Sequence, residues 1–498
     1  METQRQVVDR LGSAFRSGIT IPEQFRQTQL TKLMSMIKDN EERILDALHK
    51  DLAKPKFEAV MSEVDIVIND LHHTIANFTT WMQPEYVSKN LATKLDDCSI
   101  RREPLGVVLI IGAWNYPLQL TILPMIGAIA AVGWRSAWHQ FGEAESCTGT
   151  EAEPTYCCGQ GNCVVIKPSD VSAVTGALIA ELIPKYLSQE CYAVVCGDAE
   201  ETKALLQNRF DHIFYTGSQP VARTILQAAA VHLTPVTLEL GGKCPCIIYG
   251  RVDIEAAARR LVWAKFFNLG QSCVAPDYVL CSPATRDALL PAIREVLEAF
   301  YGKEPQNCPD LSRIVTPRHW TRLMELLKRS SGKVVVGGES NLDDKYIAPT
   351  VVVDVAEDDA LMEEEIFGPI LPILTVESLE KGIDLINRRE RPLALYVFSD
   401  ESSVVTTVLE NTRSGGFCSN DGIVHMTLPT LPFGGVGASG WGSYHGRWTF
   451  ETFSHRRACM LRGWALERLN RLRYPPYSDN KLSWLRWTTS SKGSCSLM

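Results

Sequence analysis

The stretch that decides the fold is PLGVVLIIGAWNYPLQLTILPMIGAIAAVGW, residues 104–134. It carries no charged residue, and it is long enough to cross a bilayer. Asn115, Pro117 and Pro124 interrupt it, and Gly106, Gly112, Gly127 and Gly133 dilute it. Val107-Val108-Leu109-Ile110-Ile111 reads better as a buried strand, because a short unbroken apolar run suits a strand covered on both faces. Asn115-Tyr116-Pro117 then makes a turn, and an apolar helix follows to about Ala131.

The same alternation recurs outward from this stretch. Cys163-Val164-Val165-Ile166 is a second buried strand, ending at Lys167-Pro168-Ser169. His212-Ile213-Phe214-Tyr215 is a third, followed by Thr216-Gly217-Ser218 and a helix from Pro220. Strands alternating with helices predict a parallel sheet with ligands at the carboxyl ends of its strands. Upstream, Leu30, Leu33, Met34 and Ile37 fall at i, i+3, i+4 and i+7, so residues 22–82 read as core-facing helices.

The chain has 498 residues, which suggests two to four domains at about 150 residues each. With 45% hydrophobic and 22% charged residues, it is neither a disordered chain, a collagen nor a multi-span membrane protein. A net charge of -8 argues against a nucleic-acid partner. Residues 461–498 nonetheless hold seven Lys or Arg against two acids, a net of +5 on a body of -13. Such a tail suits an anionic membrane surface or a solvated end. The fifteen cysteines lack regular spacing, and Met1-Glu2-Thr3-Gln4-Arg5 is no apolar signal, so a reducing, cytosol-facing location is expected. Cys157-Cys158 and Cys244-Pro245-Cys246 have no partner pair at zinc-site spacing, so no metal is expected.

Three segments bear on chemistry. Gly435, Gly437 and Gly440 match G-x-G-x-x-G, but Leu431-Pro432-Phe433 precedes them in place of a strand, so the match is a decoy. In Leu238-Glu239-Leu240-Gly241-Gly242 an acid stands in apolar surroundings, where a raised pKa makes a base; a surface or paired acid is the alternative. In Gly270-Gln271-Ser272-Cys273 a thiol lies in a loop after a helix over 254–267. It is nucleophilic if accessible and inert if buried.

These pieces occur in a fixed order along the chain. Ala113-Trp114-Asn115-Tyr116-Pro117, Lys167-Pro168-Ser169, Thr216-Gly217-Ser218, Leu238-Glu239-Leu240-Gly241-Gly242, Gly270-Gln271-Ser272-Cys273, Glu365-Ile366-Phe367-Gly368-Pro369 and Pro432-Phe433-Gly434-Gly435 follow one another. Together they resemble the aldehyde dehydrogenase superfamily, from about residue 5 to residue 475. The short N-terminal region, residues 432–440 and Arg473-Tyr474-Pro475-Pro476 resemble the class 3 group, 3B branch.

The resemblance implies an α/β fold: a Rossmann-like parallel-sheet cofactor domain, an α/β catalytic domain and a small bridging sheet that makes homodimers. It implies a cofactor domain of residues 1–87 and 105–238, a catalytic domain of 239–430, bridging elements at 88–104 and 431–460, and a tail from 461. It makes Cys273 the nucleophile, with the Asn115 amide and the Cys273 N–H stabilising the oxyanion. Glu239 becomes the base that activates the deacylating water. Lys167 contacts cofactor ribose beside Ser169 and Asp170. Gly217 and Ser218 lead toward the pyrophosphate. Glu365 holds the nicotinamide ribose, with Phe367 nearby. The cofactor is NAD or NADP; Asp170 stands where relatives have Glu, and a carboxylate there favours a free 2′-OH.

The chain also departs from the family. Residues 132–160 interrupt the join between the helix ending at Ala131 and the strand leading to Lys167. A long loop costs little in closure entropy, about 0.6 kcal/mol per doubling of length, so the interruption questions activity more than fold. Ala222 replaces a Gly, and Cys244 stands where relatives often have Asn. The chain ends Cys495-Ser496-Leu497-Met498, a C-a-a-X pattern that specifies a prenyl group on Cys495. One lipid with basic residues can anchor stably. The expectation is an NAD(P)-dependent enzyme oxidising medium- to long-chain lipid-derived aldehydes on a plasma-membrane or lipid-droplet surface. A silent dimer partner and a cofactor-free cysteine esterase remain the alternatives.

Overall fold

A computed structural model describes residues 2–131, 161–464 and 467–490. The interruption at 132–160 and Cys495 lie outside the described residues. The uncharged stretch splits as its breaks suggest, into a strand Val107–Ile111 and a helix Gln119–Ala130. All twelve residues of that helix are buried. It packs against Glu23–Asp39, Asp65–Trp81 and Arg447–Thr452, so its apolar surface meets protein on every side. A Cβ on Gly127 would lie 2.4 Å from Thr449, so only glycine allows the last of these contacts. Among the described residues no helix is long and apolar enough to cross a membrane.

Val107–Ile111 is central in a six-stranded sheet. The order is Gly440–Trp441, Val236–Leu240, His212–Gly217, Val107–Ile111, Cys163–Lys167, Tyr192–Val194. All neighbours are parallel except Gly440–Trp441, which runs antiparallel to Val236–Leu240. From Val107–Ile111 the chain builds outward through Cys163–Lys167 to Tyr192–Val194, then crosses back to His212–Gly217. The order therefore reverses between Val107–Ile111 and His212–Gly217, where an open α/β sheet leaves its ligand crevice.

A second, seven-stranded sheet has the order Lys333–Val336, Thr350–Val353, Ile370–Thr375, Tyr278–Cys281, Pro245–Ile248, Ala394–Phe398, Gly416–Ser419. It is parallel but for its first pair. A third sheet joins Glu85–Tyr86, Asp97–Pro104 and Ser454–Leu461. The expected boundary at 238/239 falls inside the strand Val236–Leu240. Residues 440–453 return to the first sheet and its helix, and only 454–461 join the three-stranded sheet.

The N-terminal helices break differently from their periodicity. After Glu41–Leu52 and Lys56–Ala59 comes a π-helical turn, Val60–Val64, before Asp65–Trp81. A π turn carries one extra residue and often marks a functional site. Here it turns Glu63 fully inward. The tail forms Glu467–Asn470 and Asp479–Thr489, leaving Trp464, Trp484 and Trp487 exposed.

Candidate active site

The nucleophile loop begins where the helix Ile254–Phe266 ends. Asn268, Leu269 and Gly270 all take positive φ, at 50°, 54° and 73°. Left-handed non-glycine residues cost of order 1–3 kcal/mol each and persist where surrounding contacts hold them. The contacts are present. Asn268 N donates to Glu58 Oε2 at 2.9 Å, and Asn268 Nδ2 donates to the carbonyls of Asn115 and Gln271. Gln271 in turn donates to Arg313 O and accepts from Val315 N. Cys273 follows, partly buried.

Cys273 and Glu239 line one pocket, with an empty volume of about 390 Å³, part of it open to solvent. Glu239 is buried, and neither of its oxygens has a partner among the described residues. Burial holds its pKa well above the usual carboxylate range. Burial also pushes the Cys273 thiol up, and the carboxylates of Glu365 and Glu239 push it further. Both shifts favour the protonated forms, so Glu239 serves as a base once its own proton has left.

Asn115 sits in the segment after Val107–Ile111. Its Nδ2 donates to Gln271 O at 3.1 Å, which ties it to the nucleophile loop. Its carbonyl accepts from Lys54 Nζ at 3.0 Å and from Asn268 Nδ2 at 3.0 Å. Lys54 pairs with Glu63 at 2.6 Å, and neither side chain has any exposure. Glu63 Oε2 accepts from the N–H groups of Leu118 and Gln119, each at 3.0 Å.

Glu365 is held by a second ion pair. Lys243 Nζ contacts Asp277 Oδ2 at 2.5 Å and donates to the carbonyls of Leu361 and Glu364. Asp277 Oδ1 accepts from Ile366 N. Glu365 lies against Gly241, where a Cβ would fall 2.1 Å from its Oε2. Burial, then Asp277, pushes Glu365 up to about 8. Phe367, at φ 53°, meets Trp114 edge-on at 5.4 Å between centroids. Cys244 has a defined place too. Its thiol donates to Cys273 O at 3.3 Å and accepts from Ala394 N at 3.3 Å, linking the nucleophile to the second sheet.

The remaining predicted residues lie at the carboxyl ends of the first sheet's strands, outside the thiol pocket. Lys167 ends Cys163–Lys167, is buried, and donates to Pro168 O at 2.9 Å. Burial lowers its pKa. Ser169 Oγ accepts from Val171 N, and Asp170 is exposed. Gly217 ends His212–Gly217, and Ser218 caps the helix Gln219–His232 without using its side chain. Of the decoy glycines, Gly437 begins a short 3-10 turn, Gly437–Ser439, and Gly440 begins the strand Gly440–Trp441. Among the described residues no three His, Cys, Asp or Glu side chains are placed to hold a metal ion. Sequence reasoning missed Lys54, Glu58, Glu63 and Asn268, which support the site from the N-terminal helices and the nucleophile loop.

The fold, two largely parallel α/β sheets beside a small third sheet, matches known proteins. The pattern of the aldehyde dehydrogenase family fits residues 2–133 and 155–459. The chain belongs to the aldehyde dehydrogenase family. The unmatched residues 134–154 fall within the expected interruption. Human aldehyde dehydrogenase family 3 member B1 is 49% identical over 499 residues, covering 100% of both chains. Mouse aldehyde dehydrogenase family 3 member B2 is 48% identical, over 98% of this chain and 95% of its own. These relatives put the chain in the class 3 group, 3B branch. A Staphylococcus aureus AldH, solved in a substrate-bound state, is 37% identical with a TM-score of 0.89, covering 98% of this chain and 99% of its own. The chain is thus an NAD(P)-dependent aldehyde dehydrogenase, an oxidoreductase that turns aldehydes into acids.

Proposed function

We propose that the substrates are medium- to long-chain aliphatic aldehydes derived from lipids, oxidised on Cys273. One observation carries the reading: the Cys273 thiol and the unpartnered Glu239 carboxyl share a pocket whose walls include Leu120, Val274, Leu393, Met426 and Phe433. An apolar wall with a few convergent polar groups suits an alkyl chain ending in a reactive carbonyl.

The Cys273 thiolate forms a bond to the aldehyde carbon, and the carbonyl electron pair moves onto oxygen. The Asn115 amide and the Cys273 N–H receive that charge. Bound NAD(P) supplies the hydride acceptor, which leaves a thioester on Cys273. Glu239 takes a proton from the water that attacks this thioester. The carboxylic acid departs and the thiol is restored.

The residues present fit the cofactor. Ser218 caps a fourteen-residue helix at the sheet's reversal point and keeps its hydroxyl free of the cap, so the helix N-terminus favours phosphate. Lys167, Ser169 and Asp170 would hold the adenosine ribose, Gly217 and Ser218 the pyrophosphate, and Glu365 with Phe367 the nicotinamide ribose. Gly241 leaves the space into which Glu365 reaches.

The test is NADH and NADPH formation from a C6–C16 aldehyde series with the full chain, beside a chain lacking residues 132–160. A preference for chains of C8 or longer supports the reading; a preference for C2–C3 aldehydes overturns it. Turnover only after removal of 132–160 would make this form the silent partner.

We further propose a homodimer on a cytosol-facing lipid surface, prenylated at Cys495. The basic tail and the exposed Trp464, Trp484 and Trp487 support this, since tryptophans and cations favour the bilayer interface. Cys495→Ser should move the protein from the membrane to the supernatant fraction on centrifugation.

A further inference from the structure

Lys54 and Glu63 form an ion pair at 2.6 Å with no exposure on either side chain. Neither lines the thiol pocket. A wholly buried ion pair is a weak source of stability, because an apolar pair of the same volume often serves folding as well or better. What an apolar pair cannot supply is directed hydrogen bonds, and here all of them converge on one segment. Lys54 Nζ donates to Asn115 O at 3.0 Å and stands 4.3 Å from the centre of the Tyr116 ring. Glu63 Oε2 takes the N–H groups of Leu118 and Gln119, the entry to the helix Gln119–Ala130. The pair thus grips residues 115–119 at both ends, Lys54 from the loop between Glu41–Leu52 and Lys56–Ala59 and Glu63 from the π-helical turn.

The grip passes on to the nucleophile. Asn115 O is shared between Lys54 and Asn268 Nδ2, and Asn115 Nδ2 reaches Gln271 O, two residues before Cys273. Rotating the 115–116 peptide would break the contacts to both Lys54 and Asn268. A displacement of 1 Å at such a group can cost about a hundredfold in rate.

We propose that the Lys54–Glu63 pair is a positioning device for acylation, holding segment 115–119 so that the Asn115 amide stays aimed at the aldehyde oxygen that takes the charge when Cys273 attacks. The inference rests on the oxyanion role given above to Asn115. Lys54 and Glu63 touch no substrate; they act through Asn115.

The test is a double-mutant cycle in the full chain. The paired replacement Lys54→Met with Glu63→Gln strands neither partner of the ion pair, and the side-chain amide oxygen it introduces can still accept from the backbone N–H groups of Leu118 and Gln119. Its kcat with a C10 aldehyde should fall about ten- to a hundredfold. The dissociation constant for NAD and the rate of Cys273 alkylation by iodoacetamide should stay within about twofold, because Lys54 and Glu63 bond to neither the cofactor-side residues nor the thiol itself and the replacement acts on the aim of the Asn115 amide. In an Asn115→Ala background the same replacement should cost less than about twofold more, because the group it positions is gone. Should the paired variant misfold, Glu63→Gln alone reads the same cycle with a smaller drop.

An unchanged kcat in the paired variant, or a drop that carries over undiminished onto Asn115→Ala, overturns the inference alone. An unchanged kcat in Asn115→Ala overturns the oxyanion reading and the inference with it.

Discussion

Lys54 and Glu63 lie fully buried with each charged group matched, to one another and to the backbone of residues 115, 118 and 119. Glu239, equally buried in the wall of the thiol pocket, has no partner on either oxygen among the described residues. An unmatched buried polar group costs about 1–3 kcal/mol, and this one faces the pocket that holds the thiol. The matched cluster has little freedom to move. Burial of the unmatched carboxyl favours its protonated form, which makes it an avid acceptor once that proton has left. The contrast separates the part that positions from the part that reacts.

The largest effect should come from the reactive side. Cys273→Ser should reduce turnover to background, a loss on the order of 10⁶ if it resembles removal of other covalent nucleophiles. Near-normal NADH formation in that variant would remove Cys273 from the reaction. Glu239→Gln should lower steady-state kcat by about 10²–10⁴. Its deficit belongs to deacylation, so a rapid burst of NADH close to one per active site should survive. Loss of the burst along with the steady state would give Glu239 a different part, activation of the thiol.

Part of this division is legible in the sequence. The strands at 107–111, 163–167 and 212–217 announce themselves as unbroken apolar runs ending in polar or glycine-containing turns. Cys273 and Glu239 stand out because the order of motifs around them is specific. Lys54 and Glu63 do not. Between residues 46 and 65 they are two charges among Asp46, Lys50, Asp51, Lys56, Glu58 and Asp65, and helical periodicity assigns such residues to a solvated face. The π turn at 60–64 shifts the phase by one residue, and only packing against the helix Gln119–Ala130 decides which charges go inside. The left-handed backbone of Asn268 and Leu269 has no glycine or proline to signal it. The link from Cys244 to Cys273 O joins segments far apart along the chain. The return of 440–453 to the first sheet is likewise a tertiary fact.

Stability measurements sharpen the same contrast. Lys54→Met alone strands the buried Glu63 carboxylate and should cost about 3–5 kcal/mol, read by urea denaturation. Glu239→Gln replaces an unpartnered carboxyl with an amide of the same size and should change stability by less than about 1 kcal/mol. Equal losses in the two variants would erase the distinction between a matched and an unmatched cluster.

The smallest effect tests how the reactive side is tuned. Burial, then Glu365, then Glu239 raise the Cys273 thiol. Glu365 itself is pushed up to about 8, so below that pH it is neutral and exerts no charge on the sulfur. Above it, the carboxylate forms and opposes thiolate formation. Iodoacetamide alkylation of the free enzyme should therefore rise with pH and then flatten as Glu365 ionises. Glu365→Gln removes the opposing charge. At pH 7 the two proteins should react at rates within about twofold, and at pH 9.5 the variant should be faster by up to about tenfold, the equivalent of one pKa unit. The sign is fixed by electrostatics: a lost negative charge can only ease the formation of a second one beside it. Equal rates at pH 9.5 would mean that Glu365 does not act on the thiol, and that burial alone sets the resting state of Cys273.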